Sequence, residues 1–306
     1  MIPTLIQFGP LAITSLGVSL FAALLIGSFF SWKKGKEDNL DPEPLMDGII
    51  ISSIIEFFGA RLIFILTHPE LGFKAYFNFM KFPGFSYYGA LISGVIFWIY
   101  FCKTHKWDFY KLADVLVFGI IPAQILINLG TFFDGSGYGA KTKLPWGIVF
   151  PGLSYKAHPI SLYQIIFLGI LLWWIYKLER QYRFFSWYKG KRAVAAPGFL
   201  FLTYLLTFAV FRFVLEFVSN KSLYLLNLSI GNWISLGIFL IGLIILYERT
   251  DRGLGFLTDP VKKFLARRQQ QKSGKVTSER REISKRKIEY LEKRSFHIKT
   301  GMDAKK

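Results

Sequence analysis

Leu11-Ala-Ile-Thr-Ser-Leu-Gly-Val-Ser-Leu-Phe-Ala-Ala-Leu-Leu-Ile-Gly-Ser-Phe-Phe-Ser-Trp32 contains no ionisable side chain, and Lys33-Lys34-Gly35-Lys36 follows it directly. At a rise of about 1.5 Å per residue, roughly 20 such residues span a hydrocarbon core about 30 Å thick. A cleavable leader would carry a positive residue ahead of a shorter apolar segment. Here no positive residue precedes the run, so it is expected to persist as a membrane-spanning helix with its lysine end in the cytoplasm.

The same ruler finds six further runs, approximately Met46 to Leu66, Tyr87 to Cys102, Leu112 to Phe133, Pro159 to Leu178, Pro197 to Phe217 and Leu226 to Tyr247. The fold class is therefore all-α: a polytopic membrane protein with about seven transmembrane helices and no evident internal repeat. The chain is 52% hydrophobic and 18% aromatic yet carries a formal charge of +18, gathered in short blocks that leave the apolar runs uninterrupted. Lys and Arg concentrate in alternate connections: Lys33 to Lys36, Lys103 to Lys111, Lys177 to Arg192, and from Arg249 onward. Lys221 stands alone in its loop. The positive-inside rule makes the rich connections cytoplasmic, with the N-terminus outside and the C-terminus in the cytoplasm.

Residues 1–250 read as one transmembrane domain and 251–306 as a basic cytoplasmic tail, where Glu279, Glu282, Glu289 and Glu292 suit a solvated helix. The tail reinforces topology or is drawn to anionic headgroups, at about 1 kcal/mol per nearby basic residue. No nucleic-acid-binding motif accompanies its charge, so no nucleic-acid partner is expected. Cys102, the single cysteine, excludes an intramolecular disulfide and a multi-cysteine metal site, and reads as apolar filler.

Ionisable groups inside hydrocarbon cost several kcal/mol unless paired or wetted, which makes each a candidate for function. Glu56 and Arg61 flank Phe57-Phe58-Gly59-Ala60, whose small pair admits a neighbouring helix; Arg61 suits an ion pair or a ligand equally. Arg212 and Glu216 lie four apart, on one face of an apolar helix. They could neutralise each other, or Arg212 could offer its fork to a phosphate while Glu216 holds it.

Between the fourth and fifth runs lies Asn128-Leu-Gly-Thr-Phe-Phe-Asp-Gly-Ser-Gly-Tyr-Gly139, then Leu144-Pro-Trp146. Its glycines, among Asn128, Thr131, Asp134, Ser136 and Tyr138, end the helix. The stretch is either a structural re-entrant turn or the lining of a polar cavity with free amides. His158-Pro-Ile-Ser-Leu-Tyr163 opens the fifth helix, with Pro159 suited to its first turn and His158 beside or at the cap. Tyr87 and Tyr88 open the third, as interfacial anchors or, for Tyr88, as part of a site.

In order and spacing these segments resemble the bacterial prolipoprotein diacylglyceryl transferases. The likeness runs over roughly residues 8 to 250. It is carried by Phe8-Gly-Pro-Leu-Ala-Ile13, Gly59-Ala-Arg61, Tyr88-Gly-Ala-Leu-Ile92, Leu129 to Gly139 with Leu144-Pro-Trp146, His158 to Tyr163, and Arg212-Phe-Val-Leu-Glu216. The resemblance implies a seven-helix enzyme of the bacterial cytoplasmic (inner) membrane. Such an enzyme moves diacylglyceryl from phosphatidylglycerol to the cysteine thiol of a preprolipoprotein lipobox peptide. Its partners are those two substrates and membrane lipids, and it needs no metal or cofactor.

Residue by residue, Arg61, Gly130, Gly135, Gly139, His158, Tyr163, Arg212 and Glu216 match the family's pattern. The family's phosphate-binding arginine falls on Asn128, its two asparagines on Thr131 and Asp134, its glutamate on Ser136, its histidine on Tyr88 and its first-helix tyrosine on Leu16. The site implied has Tyr88 or His158 as proton acceptor. Arg212 with Glu216 would take the phosphate, helped by amides near Gly130 and Gly139, and Asn128, Asp134, Arg61 and Tyr163 would line the substrate. Tyrosine is the weaker base at neutral pH. A non-catalytic relative holding lipid or lipoprotein in the same cavity is the alternative those substitutions leave open; a transporter or channel would want more ionisable residues in its helices.

Overall fold

The computed structural model describes residues 4–8, 11–71, 76, 84–190, 192, 195–219, 224–226 and 228–250; the tail discussed above lies outside them. Seven long helices carry the chain: α1 (Ser15–Glu37), α2 (Pro42–Thr67), α3 (Tyr87–His105), α4 (Phe109–Asp134), α5 (Ile160–Glu179), α6 (Phe199–Leu215) and α7 (Ile230–Arg249). Five are long and apolar enough to cross a membrane, the exceptions being α3 and the 17-residue α6. α3 is diluted by its tyrosines at one end and Lys103 and His105 at the other. The strands are short antiparallel hairpins: β1 (Thr4–Phe8) with β2 (Leu11–Thr14), β3 (Ile148–Val149) with β4 (Lys156–Ala157), and β5 (Tyr224–Leu225) with β6 (Leu228–Ser229). This is an all-α membrane protein.

Local chemistry sets the boundaries. The first apolar run is expected to be helical from Leu11, but Thr14 caps α1 by accepting from the Gly17 amide at 3.0 Å, and Leu11–Thr14 pairs with β1 instead. Asp108 accepts from the Tyr110 and Lys111 amides to start α4, and Gly135, at φ 86°, ends it. Ser229 and Asn232 form a reciprocal capping box, so α7 begins at Ile230 rather than at Leu226.

α1 and α4 pack along the longest seam of the bundle, and glycine makes it possible. A Cβ on Gly119 would collide with the Ser31 hydroxyl and the Gly27 carbonyl, and one on Gly130 would meet Ser19. α2 and α3 meet the same way, since a Cβ on Gly89 would lie 2.5 Å from the Gly59 carbonyl oxygen. With lipid tails as apolar as leucine, such close backbone approach is what drives helices together. Facing outward are large apolar side chains such as Phe21, Ile96, Trp173 and Ile241, as a bilayer requires.

At one end of the bundle the buried Lys34 pairs with Glu179, and with Glu37 and Asp38 at 3.4 and 3.5 Å, while Asp38 reaches Arg183 at 3.6 Å. This ties α1 to the end of α5. Beside it lies a core of Phe118, Ile121, Leu168, Leu171, Tyr188 and Phe199.

A side chain on Gly119 must spread α1 from α4. Gly119→Val is expected to destabilise the folded protein by about 1–3 kcal/mol. Buried Cys102 is a built-in reporter, since a thiol-reactive dye added during heating should label it at a lower temperature in the variant than in the parent.

Candidate functional site

α6 carries Arg212 and Glu216, and Asp114 of α4 fixes its start. The Asp114 carboxylate, 5% exposed, accepts from the amides of Gly198 at 2.6 Å and Phe201 at 2.8 Å. Those are orphan donors of the first turn of α6, satisfied here by a side chain from another helix because no water is available. Further along α4, Gln124 Nε2 donates to the Tyr204 hydroxyl at 2.9 Å, a second link to α6.

Arg212 and Glu216 share a helix face without pairing. The Glu216 carboxylate accepts from the Ser229 hydroxyl at 2.9 Å and lies against Gly231, so it joins α6 to the start of α7. A direct ion pair holding Arg212, expected from the spacing, is replaced by that bond. Among the described residues the Arg212 side chain makes no hydrogen bond or ion pair. Its field reaches the hydroxyls of Tyr87 and Tyr88 at the start of α3, and that of Glu216 also reaches Tyr88.

The glycine loop spends its amides on itself. Gly135, Ser136 and Gly137 each donate to the Thr131 carbonyl at 3.1 Å, Gly139 donates to the His158 carbonyl at 2.8 Å, and Ala140 to that of Val218 at 2.8 Å. Gly130 is buried inside α4 against α1. The expectation of free amides is therefore corrected at Gly130 and Gly139 themselves, because the αL turn at Gly135 folds the donors back onto the helix end; between Gly137 and Gly139 the Tyr138 amide makes no hydrogen bond among the described residues. The Thr131 and Ser161 hydroxyls meet at 2.8 Å and clasp the loop to the start of α5. Half-buried Asn128 turns its amide to the Gln124 carbonyl at 2.7 Å. Half-buried Asp134 is the last residue of α4 and makes no ion pair among the described residues.

His158 does not cap α5; Pro159 occupies the cap position, with no side-chain bond. Instead His158 Nδ1 lies 3.1 Å from the Tyr163 hydroxyl, which accepts from the Trp146 indole N–H at 2.9 Å. The tautomer decides the direction: with the ring proton on Nε2 the hydroxyl donates to Nδ1, and with it on Nδ1 the ring donates to the hydroxyl. The segments Leu144-Pro-Trp146 and His158 to Tyr163 are thus brought into one chain of bonds.

Arg61 is fully buried and works on the backbone leading into α3. Its Nη1 donates to the Gly84 carbonyl at 2.8 Å and its Nε to that of Tyr76 at 3.4 Å, with the rings of Phe64 and Phe85 beside it. Glu56 lies against Gly94 of α3 and makes no hydrogen bond or ion pair among the described residues. No group of three metal-ligating side chains occurs among them either.

A family model described as prolipoprotein diacylglyceryl transferase matches residues 3–248. The chain belongs to that family. Among its relatives is the phosphatidylglycerol–prolipoprotein diacylglyceryl transferase of Aliarcobacter butzleri, 29% identical over 250 residues, which cover 77% of this chain and 87% of that protein. The proteins of the same name from Clostridium tetani and Prochlorococcus marinus are each 28% identical. The first match covers 80% of this chain and 96% of the relative, the second 70% and 77%.

For a diacylglyceryl transferase family member, the residues that hold α6 in place are as informative as Arg212 and Glu216 themselves. Asp114 is an ionisable group inside an apolar run, and the rule that selects Arg212 selects it too; its place near the end of the run hides it. Gln124 and Asn128, four apart in an otherwise apolar helix, carry the same signal in neutral form. Nothing in local sequence marks Ser229 as the partner of Glu216.

Removing the carboxylate strands two buried amides. Asp114→Ala should lower stability by about 1–3 kcal/mol, and Asp114→Asn, which keeps one carbonyl acceptor, should recover part of it. Thermal midpoints in detergent, read by Cys102 labelling, would check the order parent, Asn, Ala.

Proposed function

We propose that this chain transfers diacylglyceryl from phosphatidylglycerol to the lipobox cysteine of a preprolipoprotein, at the outer side of a bacterial inner membrane. In the reaction the thiol sulfur attacks the glycerol carbon, the thioether bond forms, and the carbon–oxygen bond to phosphate breaks. The bonding electrons leave with glycerol phosphate, and the thiol proton goes to a base. No metal takes part in this scheme. Its two demands are a proton acceptor, because the thiolate is the nucleophile, and a cation for the departing phosphate.

Arg212 carries the reading. A guanidinium at membrane depth, with no hydrogen bond or ion pair among the described residues, is costly unless an anion comes to it. A lipid phosphate is such an anion, and the fork suits it. The amides of Gly135, Ser136, Gly137, Gly139 and Ala140 are occupied, and this side chain is the cation offered to the phosphate. Tyr88, at the start of α3, and His158, whose Nδ1 faces the Tyr163 hydroxyl, are the candidate proton acceptors. For His158 to act, the Tyr163 hydroxyl must turn its proton aside or the tautomer must leave Nδ1 free; for Tyr88 to act, its own phenolic proton must leave first.

The family's other cationic position is Asn128, whose amide is turned into its own helix, and this favours a second reading in which lipid is held without turnover. One experiment separates them. The chain is expressed in a bacterium depleted of its own transferase, and conversion of a radiolabelled prolipoprotein is followed. Conversion is expected; its absence, with the protein correctly inserted, rejects the transferase reading. Where conversion occurs, Arg212→Ala should lower kcat/KM at least about ten- to a hundredfold, the worth of one charge-assisted contact. Retained activity would remove Arg212 from the phosphate. His158→Gln should be the more damaging of His158→Gln and Tyr88→Phe, because imidazole is the stronger base at neutral pH, and the reverse order would move the base to Tyr88.

A further inference from the structure

Between Asp134 and Glu179 the chain has no acidic residue, yet Lys141, Lys143 and Lys156 stand close together on the arm that leaves α4. Backbone bonds fix them. Lys141 bridges Ala157, the Thr142 amide donates to the Lys156 carbonyl at 2.9 Å, and β3 pairs with β4. Lys141 is further steadied by its Nζ lying 5.5 Å from the centre of the Tyr155 ring. All three lysines are exposed, and none makes an ion pair among the described residues. Exposed among them are Leu144, Trp146 and Val149.

On the orientation proposed above, this arm lies on the outer side, where insertion selects against lysine. A cluster kept there, on a rigid hairpin, needs a partner on that side. Exposed tryptophan and leucine beside lysine is the pattern of the headgroup boundary, where rings sit at the interface and amines reach anionic groups. We propose that the Lys141–Lys156 arm is a docking surface for the anionic phospholipid headgroups of the outer leaflet, gathering charged lipid beside the site. The arm is coupled to that site, since Gly139 and Ala140 bond to His158 and Val218, and Trp146 bonds to Tyr163.

The proposal rests on the orientation given above but can be read without turnover. The full chain, with Cys102→Ala and Ser154→Cys carrying an environment-sensitive fluorophore, is reconstituted in phosphatidylcholine vesicles holding a minority of phosphatidylglycerol. Either lipid is then supplied brominated at equal mole fraction. Brominated phosphatidylglycerol should quench roughly threefold more strongly. The preference should vanish in Lys141→Gln/Lys143→Gln/Lys156→Gln and at about 1 M salt, where screening falls to about 3 Å. It should survive replacement of all three by Arg. Equal quenching in the parent, quenching by neither lipid, or a preference that outlasts removal of the charges would each overturn the proposal. A chain that keeps the preference but converts no prolipoprotein would overturn the transferase reading alone. The converse result would overturn only this one.

Discussion

Hydrocarbon offers no water, so every amide and every charge at membrane depth must be answered by the protein itself, and most of this structure follows from that constraint. Helices answer their own interiors; their ends and side chains are the remaining problem. Asp114 answers the first turn of α6 from another helix, Ser229 and Asn232 answer that of α7, and Thr131 gathers the loop amides beyond α4. The Asp114 solution ties two helices together while satisfying one of them, so there polar satisfaction and tertiary assembly are the same event.

Against that background the groups left unanswered stand out. Buried Arg61 is met by carbonyls and aromatic faces, Lys34 by three carboxylates, and Glu216 by a hydroxyl. The Arg212 side chain is met, among the described residues, by no bond, and its helix is held by two contacts from α4, Asp114 on the Gly198 and Phe201 amides and Gln124 on Tyr204. Rigid support around an unsatisfied cation is the arrangement that binds an anion without first having to rearrange.

The seven helices were legible because each must offer the bilayer a long apolar run, and because the glycines after Asp134 end α4. The start of α1 was not, since Leu11 to Thr14 is as apolar as a helix and as β-prone as the strand it becomes. Within the site, residue types were legible and partners were not. Spacing puts Arg212 and Glu216 on one face, but the geometry of Ser229, thirteen residues on, decides where the carboxylate goes. Glycines announce a turn without saying which carbonyl will collect the amides, and His158 before Pro159 reads as a cap until Tyr163 supplies a nearer partner.

Cys102 lies near the end of α3, 3% exposed, packed with Leu45, Ile49 and Leu112. Tyr88 is fourteen residues earlier on the same helix, which at about 1.5 Å per residue is a separation of roughly 21 Å. A protein whose proposed chemistry attaches lipid to sulfur thus keeps its own sulfur at the opposite end of a rigid rod and sealed within the core. On the proposed chemistry, that thiol is out of reach of the site, and the acceptor must be brought in from outside.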